Sequence, residues 1–304
     1  MSDIETEEIE RVRCLLIGSA PEREQELLDL WNKYQVNVAA VDDKPGFEMG
    51  GGAFQSVLFT PRTLRQVWLL GFAGWRACEA YAGVLWVMAS FGLPYNPTEL
   101  TKVQGQTAAE LEFERALTQA RGLREAYTES AFSWPRDIPT PDQLLDSATD
   151  EVTRDITCLA LAFVFLHELH HVMLAQKNLL AHEEEAACDE FASRFLLDRA
   201  DEYARTNGKA VEKVRVLRAM GICLGLFVVT EVTARNARSG SQSHPDVADR
   251  WLAFLGQVDV PSEHWFWAFT GSLLIAALRV EGKDRAHAAV GSCRGLCLEI
   301  VRDL

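Results

Sequence analysis

A chain of 304 residues, 48% hydrophobic and 24% charged, has ordinary globular composition and is long enough for one large core or two domains. Its net charge of −14 argues against a nucleic-acid partner, because phosphate binding needs clustered Lys and Arg. The seven cysteines are odd in number and scattered through apolar stretches, with no signal peptide before them, so they read as reduced thiols of a cytoplasmic protein.

Residues 1–10 carry five acidic side chains and no basic one, and read as a disordered, solvated tail. Residues 11–304 are then expected to form a single domain, mainly α with a small β-sheet (α+β). Its first part, 11–150, holds a β-hairpin and helices; its second, 151–304, is helical. Val12–Gly18 reads as a short extended piece. Pro21–Tyr34 has Leu27, Leu28, Leu30, Trp31 and Tyr34 in helical rhythm behind Ser19 and Pro21. Val36–Val41 and Phe54–Phe59 read as the strands of the hairpin, joined through the glycine-rich segment 46–52. No Gly-Lys-Ser/Thr follows those glycines, which excludes a phosphate loop. Thr63–Phe91 is a long apolar helix and Thr98–Tyr127 a charged one. Neither Val67–Tyr95, interrupted by Arg76 and Glu79, nor the ten residues Gly221–Thr230 make a membrane span.

The next helix, about Thr153–Gln176, carries His167-Glu168-Leu169-His170-His171 after an apolar run from Ile156 to Leu166. This is the H-E-x-x-H pattern. Histidines four apart share a helix face, and two neutral imidazoles can grip one Zn²⁺ while Glu168 serves as general base. In a buried helix two unpartnered histidines would be costly, which favours a bound ion. Glu185-Ala186-Ala187-Cys188-Asp189 follows, and a turn near 177–181 would fold this second helix back on the first. Glu185 is then the third ligand, leaving the open position of a catalytic zinc. Asp189 would bond a ligand histidine from behind and fix its tautomer. Cys188 lies close but would face differently from Glu185 and Asp189. His170 is expected in the pocket wall or behind a ligand, and His182 at a surface helix start. His264 and His287 have no supporting pattern. Further helices are expected at His182–Asn207, Lys209–Arg238, Pro245–Gln257, Ser262–Val280 and Asp284–Arg302. His244-Pro245-x-x-x-x-Arg250 sits at a helix entry after the hinge-like Ser239–Ser243 loop. His244 and Arg250 could face the cleft and stabilise a developing oxyanion. Phe54–Phe59 could be an edge strand beside that cleft, able to take an extended substrate.

These three elements together, His167-Glu168-x-x-His171, Glu185-x-x-x-Asp189-x-Phe191-Ala192 and His244-Pro245-x-x-x-x-Arg250, resemble the Lit-type phage-exclusion peptidases of bacteria. Pro21–Leu27, Pro45-Gly46-Phe47 and Ser133-Trp134-Pro135 are similar to segments of the same family. The site also resembles that of membrane CAAX-type zinc endopeptidases, whose corresponding His and Arg lie by the substrate. The chain departs from its relatives at Leu169-His170, where small residues are common. The resemblance implies a gluzincin-like zinc endopeptidase with one Zn²⁺ per chain. It implies a suicidal activity, cleavage of elongation factor Tu triggered by a phage head-protein peptide. Two other functions stand beside it: a peptidase that cleaves a repressor or antitoxin, and a catalytically idle scaffold of the same fold. A scaffold has no chemical need of Glu168. No transmembrane segment is expected, and a cytoplasmic location with loose membrane attachment stays open.

Overall fold

The acidic start and the segment after it coil into one helix, α1 (Asp3–Ser19), in the computed structural model, which describes residues 3–52, 55–175, 180–240 and 246–304. This corrects the extended piece expected at Val12–Gly18. Val12 and Leu16 are one helical turn apart and both buried in the core, so helix suits them better than strand. A 3₁₀ turn at Pro21–Arg23 leads into α2 (Glu24–Tyr34). Strands β1 (Asn37–Ala40), β2 (Met49–Gly51) and β3 (Ser56–Phe59) precede α3 (Pro61–Ser90). Then come α4 (Pro97–Leu100), α5 (Gln106–Glu125), α6 (Ala148–Leu174), α7 (Ala181–Leu197) and α8 (Ala200–Thr206). The chain closes with α9 (Val211–Val232), α10 (Val247–Leu255), α11 (Trp265–Val280) and α12 (Cys293–Val301). The protein is mainly helical with one small sheet among the described residues, the α+β arrangement expected.

The sheet differs from the expected hairpin. Its order is β1-β3-β2. β1 and β3 run parallel, with Val38 opposite Val57, and β2 runs antiparallel to β3, with Gly50 opposite Leu58. β3 is therefore the central strand. One of its two edge strands, β2, lies inside the glycine-rich segment that reads as a turn. Strand patterns are recognised by bulky alternating side chains, and Met-Gly-Gly offers almost none. β3 has them: Val57 and Phe59 are buried, and Phe59 meets Phe165 of α6 edge to face at 5.4 Å. The segment between β1 and β2 is fixed by Arg62, fully buried, which donates to both Asp43 carboxylate oxygens at 2.6 Å. That same guanidinium holds the Asp43 carboxyl below the usual carboxylate range.

α6 is the central helix, apolar all round from Ile156 to Leu166 and packed by α1, α3, α7, α9 and the sheet. It is long and apolar enough to cross a membrane, but 67% of its most apolar stretch is buried inside the protein, as in a core helix. A Cβ at Gly225 of α9 would stand 2.6 Å from the Phe163 ring, so glycine there lets α9 close on α6. One contiguous apolar core runs from Val12 to Val301. The expected long helices at Thr98–Tyr127 and His182–Asn207 are each broken. The first is cut before Gly105, which adopts a left-handed φ of 82°; the second is cut at Asp198–Arg199.

Candidate metal centre and active-site cleft

α6 and α7 pack with opposite polarity: His167 meets Asp189, while His171, a turn later, meets Glu184. His167 and His171 present their Nε2 atoms to each other at 3.1 Å. The Glu185 carboxylate reaches both, at 3.3 Å from His167 Nε2 and 3.5 Å from His171 Nε2. Each ring uses its other nitrogen on a carboxylate. His167 Nδ1 donates to Asp189 Oδ1 at 2.9 Å, and His171 Nδ1 donates to Glu184 Oε1 at 2.8 Å. The tautomers follow: with Nδ1 protonated, the Nε2 lone pairs turn inward toward each other and an anion.

That donor set fits a divalent ion. A tetrahedral centre with bonds of ~2.0–2.1 Å has edges of ~3.3 Å, and the three separations bracket that value. Without a cation, the inward lone pairs and the carboxylate share a proton instead. Burial opposes charge on His167, but Asp189 and Glu185 outweigh it and raise its pKa to about 9. Burial likewise works against ionised Glu185, and the bond from His167 with nearby Arg250 brings it down to about 2. Cys188 lies near enough to share an ion with the two histidines. Burial and the neighbouring carboxylates of Glu185 and Glu184 push its thiol well up. Glu185 also stands within 3.3–3.5 Å of both rings, so a carboxylate and a thiol both lie within reach of an ion held by the histidines.

Arg250, entering from α10, forks onto Asp189 with bonds of 2.6 and 2.7 Å and stands 3.8 Å from Glu185. Arg250 thus grips the carboxylate that orients His167, and it also lines the cleft beside Glu168 and Glu185. His244, Pro245 and most of the Ser239–Ser243 loop lie outside the described residues. So does most of the turn expected near 177–181. The cap of α10 is Asp246, which accepts from Ala248 N–H at 2.7 Å.

Glu168 sits one step round α6 and faces β2. Its Oε2 accepts the Gly51 N–H at 2.6 Å. The backbones are so close here that a Cβ on Gly51 would stand 2.0 Å from the Glu168 carbonyl oxygen. Only glycine permits this approach. A cavity of about 350 Å³ opens beside these residues, walled by Phe47, Met49, Phe163, Val228 and Val232, with His167, Glu168, Glu185 and Arg250 on its polar side. A larger hollow of about 670 Å³ between α1, α6 and α9 contains none of them.

Glu184 and Gly51 escape a reading of the sequence. Glu184 is one of three consecutive glutamates, and only the opposite polarity of α6 and α7 singles it out. Gly51 is one of three glycines, any of which suits a turn. His170 does not line the cavity. Its Nδ1 donates to the Ala187 carbonyl at 3.1 Å and its ring stacks on Phe191 at 4.4 Å, clamping α7 to α6. His182 is exposed at the start of α7, as expected. His264 caps α11, its Nδ1 accepting from Phe266 N–H, and buried His287 stands 3.0 Å from Asp303.

Fold and site together define a mainly helical protein with a group, His167, His171 and Cys188 with Glu185 close by, that could hold a metal ion, and a glutamate, Glu168, beside it at a cleft. The chain belongs to the Peptidase U49 family, whose pattern matches residues 57–270, a span that takes in β3, α6, α7 and Arg250 of α10. It is a peptidase by that membership. It is 24% identical over 240 residues to the cell death peptidase of Escherichia coli (strain K12), covering 76% of this chain and 74% of that protein. No solved structure matches it.

Proposed function

We propose that this protein is a gluzincin-like zinc endopeptidase of bacterial anti-phage defence, acting in the cytoplasm on a host translation factor when a phage protein triggers it. The observation that carries the reading is the convergence of His167, His171 and Glu185 at 3.1–3.5 Å with Glu168 alongside. A structural role for a buried cluster of this kind would not need inward-facing lone pairs. The relative named a cell death peptidase supports a lethal response as the setting.

When bound, a Zn²⁺ ion held by His167, His171 and Glu185 would supply Lewis acidity that polarises the scissile carbonyl and acidifies water. The remaining work falls to the chain's own residues. Glu168 accepts the proton of the attacking water and returns it to the departing amine. The Gly51 N–H holds its carboxylate in place. Asp189 and Glu184 keep His167 and His171 in the Nδ1–H tautomer, and Arg250 is a positioning residue that fixes Asp189. By resemblance, His244 is assigned to the oxyanion.

Substrate is assigned to the outer edge of β2, the edge not paired with β3. Glu48 O and Gly52 N–H bond β3, accepting from Thr60 and donating to Ser56, whereas the Gly51 N–H points the other way, to Glu168. An extended peptide added on that side would lie along the cleft and pass the site. This moves the proposed substrate-holding edge from β3 to β2.

The finer reading is tested by incubating purified protein with elongation factor Tu, with and without phage head-protein peptides, and reading cleavage by mass spectrometry. The expected result is cutting only when the peptide is present. Rapid cutting without peptide would refute the trigger. An intact factor under every condition, with metal bound, would refute this substrate and redirect the search to a repressor or antitoxin.

A further inference from the structure

A second hollow, of about 510 Å³, adjoins the cleft and shares Phe47 and the 232–234 segment with it as a common wall. Its lining carries four arginines, Arg121, Arg124, Arg235 and Arg238, against the two acids Glu125 and Glu231. Such an excess of cations is unexpected in a chain of net charge −14. Two of the arginines are neutralised. Arg121 bonds Glu231 at 2.6 Å, and Arg238, nearly buried, pairs with Glu281. The other two are at most partly so. Arg124 donates to the Glu231 backbone carbonyl at 3.1 Å and has no carboxylate partner among the described residues. Arg235 is 67% exposed and stands 3.7 Å from Glu281, whose charge is already shared with Arg238 and Lys283.

We propose that this arginine-lined hollow is a specificity subsite that receives an acidic segment of the cleaved polypeptide. The inference rests on the peptidase reading above and adds the class of substrate. The hollow begins at Gly46 and Phe47, just before β2, and the cleft continues past Met49 to Glu168. A peptide on the edge of β2 therefore spans both. At about 3.3 Å per residue, the four steps from Phe47 to Gly51 cover roughly 13 Å. The acidic side chain thus lies about four residues from the scissile bond. Arginine presents a planar fork that suits carboxylates. A nucleic acid fits poorly, since the protein as a whole, with net charge −14, repels a polyanion. A short acidic stretch matches the hollow, and the local positive field would offset the repulsion between an acidic enzyme and an acidic target.

The test uses the full-length Glu168→Gln protein, so that binding is read without turnover. Short extended peptides ending in a Glu pair, a Gln pair or a Lys pair are compared by fluorescence anisotropy. The Glu peptide should bind roughly tenfold more tightly than the Gln peptide, with the gap shrinking as salt rises. Arg235→Glu should narrow it, and Arg124→Glu with Arg235→Glu should turn the preference toward the Lys peptide. Arg235 is on the surface, so its variant keeps the test valid if Arg124→Glu folds poorly. Equal binding of Glu and Gln peptides, or a preference that survives the charge reversal, would overturn the subsite. In parallel, cuts made by the wild type in a proteome-derived peptide mixture should be enriched in Asp or Glu about four residues from the bond. Charge-dependent binding without any cutting would count against the peptidase reading and leave the acidic-segment site standing.

Discussion

Peptide cleavage by the Glu168→Gln protein should fall by roughly three to four orders of magnitude, the upper range for loss of a general base. The substitution conserves volume, and the glutamine carbonyl oxygen can still accept the Gly51 N–H that holds Glu168 at 2.6 Å. Fold and metal content should therefore match the wild type. What disappears is basicity, because an amide cannot take the proton of an attacking water. Turnover on a defined peptide, measured beside metal content and thermal unfolding, separates these effects. Near-normal turnover would mean that another group is the base and that Glu168 only packs β2 onto α6.

Removal of a single donor should empty the centre. His171→Ala and Glu185→Ala each leave two of the three groups that face one another at 3.1–3.5 Å. Both variants should lose stoichiometric metal when challenged with a chromophoric chelator. Asp189→Asn acts at one remove. It weakens the hold on His167 Nδ1 and releases Arg250, so metal affinity should fall by roughly 10–100-fold, as for other groups behind a ligand. Cys188→Ser is the control that distinguishes the two possible third donors. It should keep its metal if Glu185 is the ligand. Metal lost from Cys188→Ser and kept by Glu185→Ala would reverse that assignment.

Much of this centre is legible in the sequence because its parts are local. A spacing of four along a helix needs no tertiary information to place His167 above His171, and Glu185 above Asp189. Their proximity across α6 and α7 follows from the short connection between two helices, one of them apolar all round. The parts that were not legible depend on pairing between distant segments. Arg250 matches a motif, but its bond to Asp189 depends on where α10 lands. Glu184 is indistinguishable from its neighbours until the polarity of the helix pair is known. The edge strand β2 is hidden by Gly50 and Gly51, residues that usually mark turns. Here the absence of side chains is what admits the strand to within contact of the Glu168 backbone. Near the start of the chain, Val12 and Leu16 turn out to share the buried side of a helix, where the short stretch Val12–Gly18 alone reads as extended.

The most direct test of the central claim follows metal and catalysis in the same sample. Purified protein is stripped by a chelator, titrated with Zn²⁺, and assayed at each step for bound metal and for cleavage of a peptide. Activity should vanish on stripping, return in proportion to bound zinc and saturate at a single ion per chain. Stripped protein that cuts peptide as fast as the untreated protein would contradict the account.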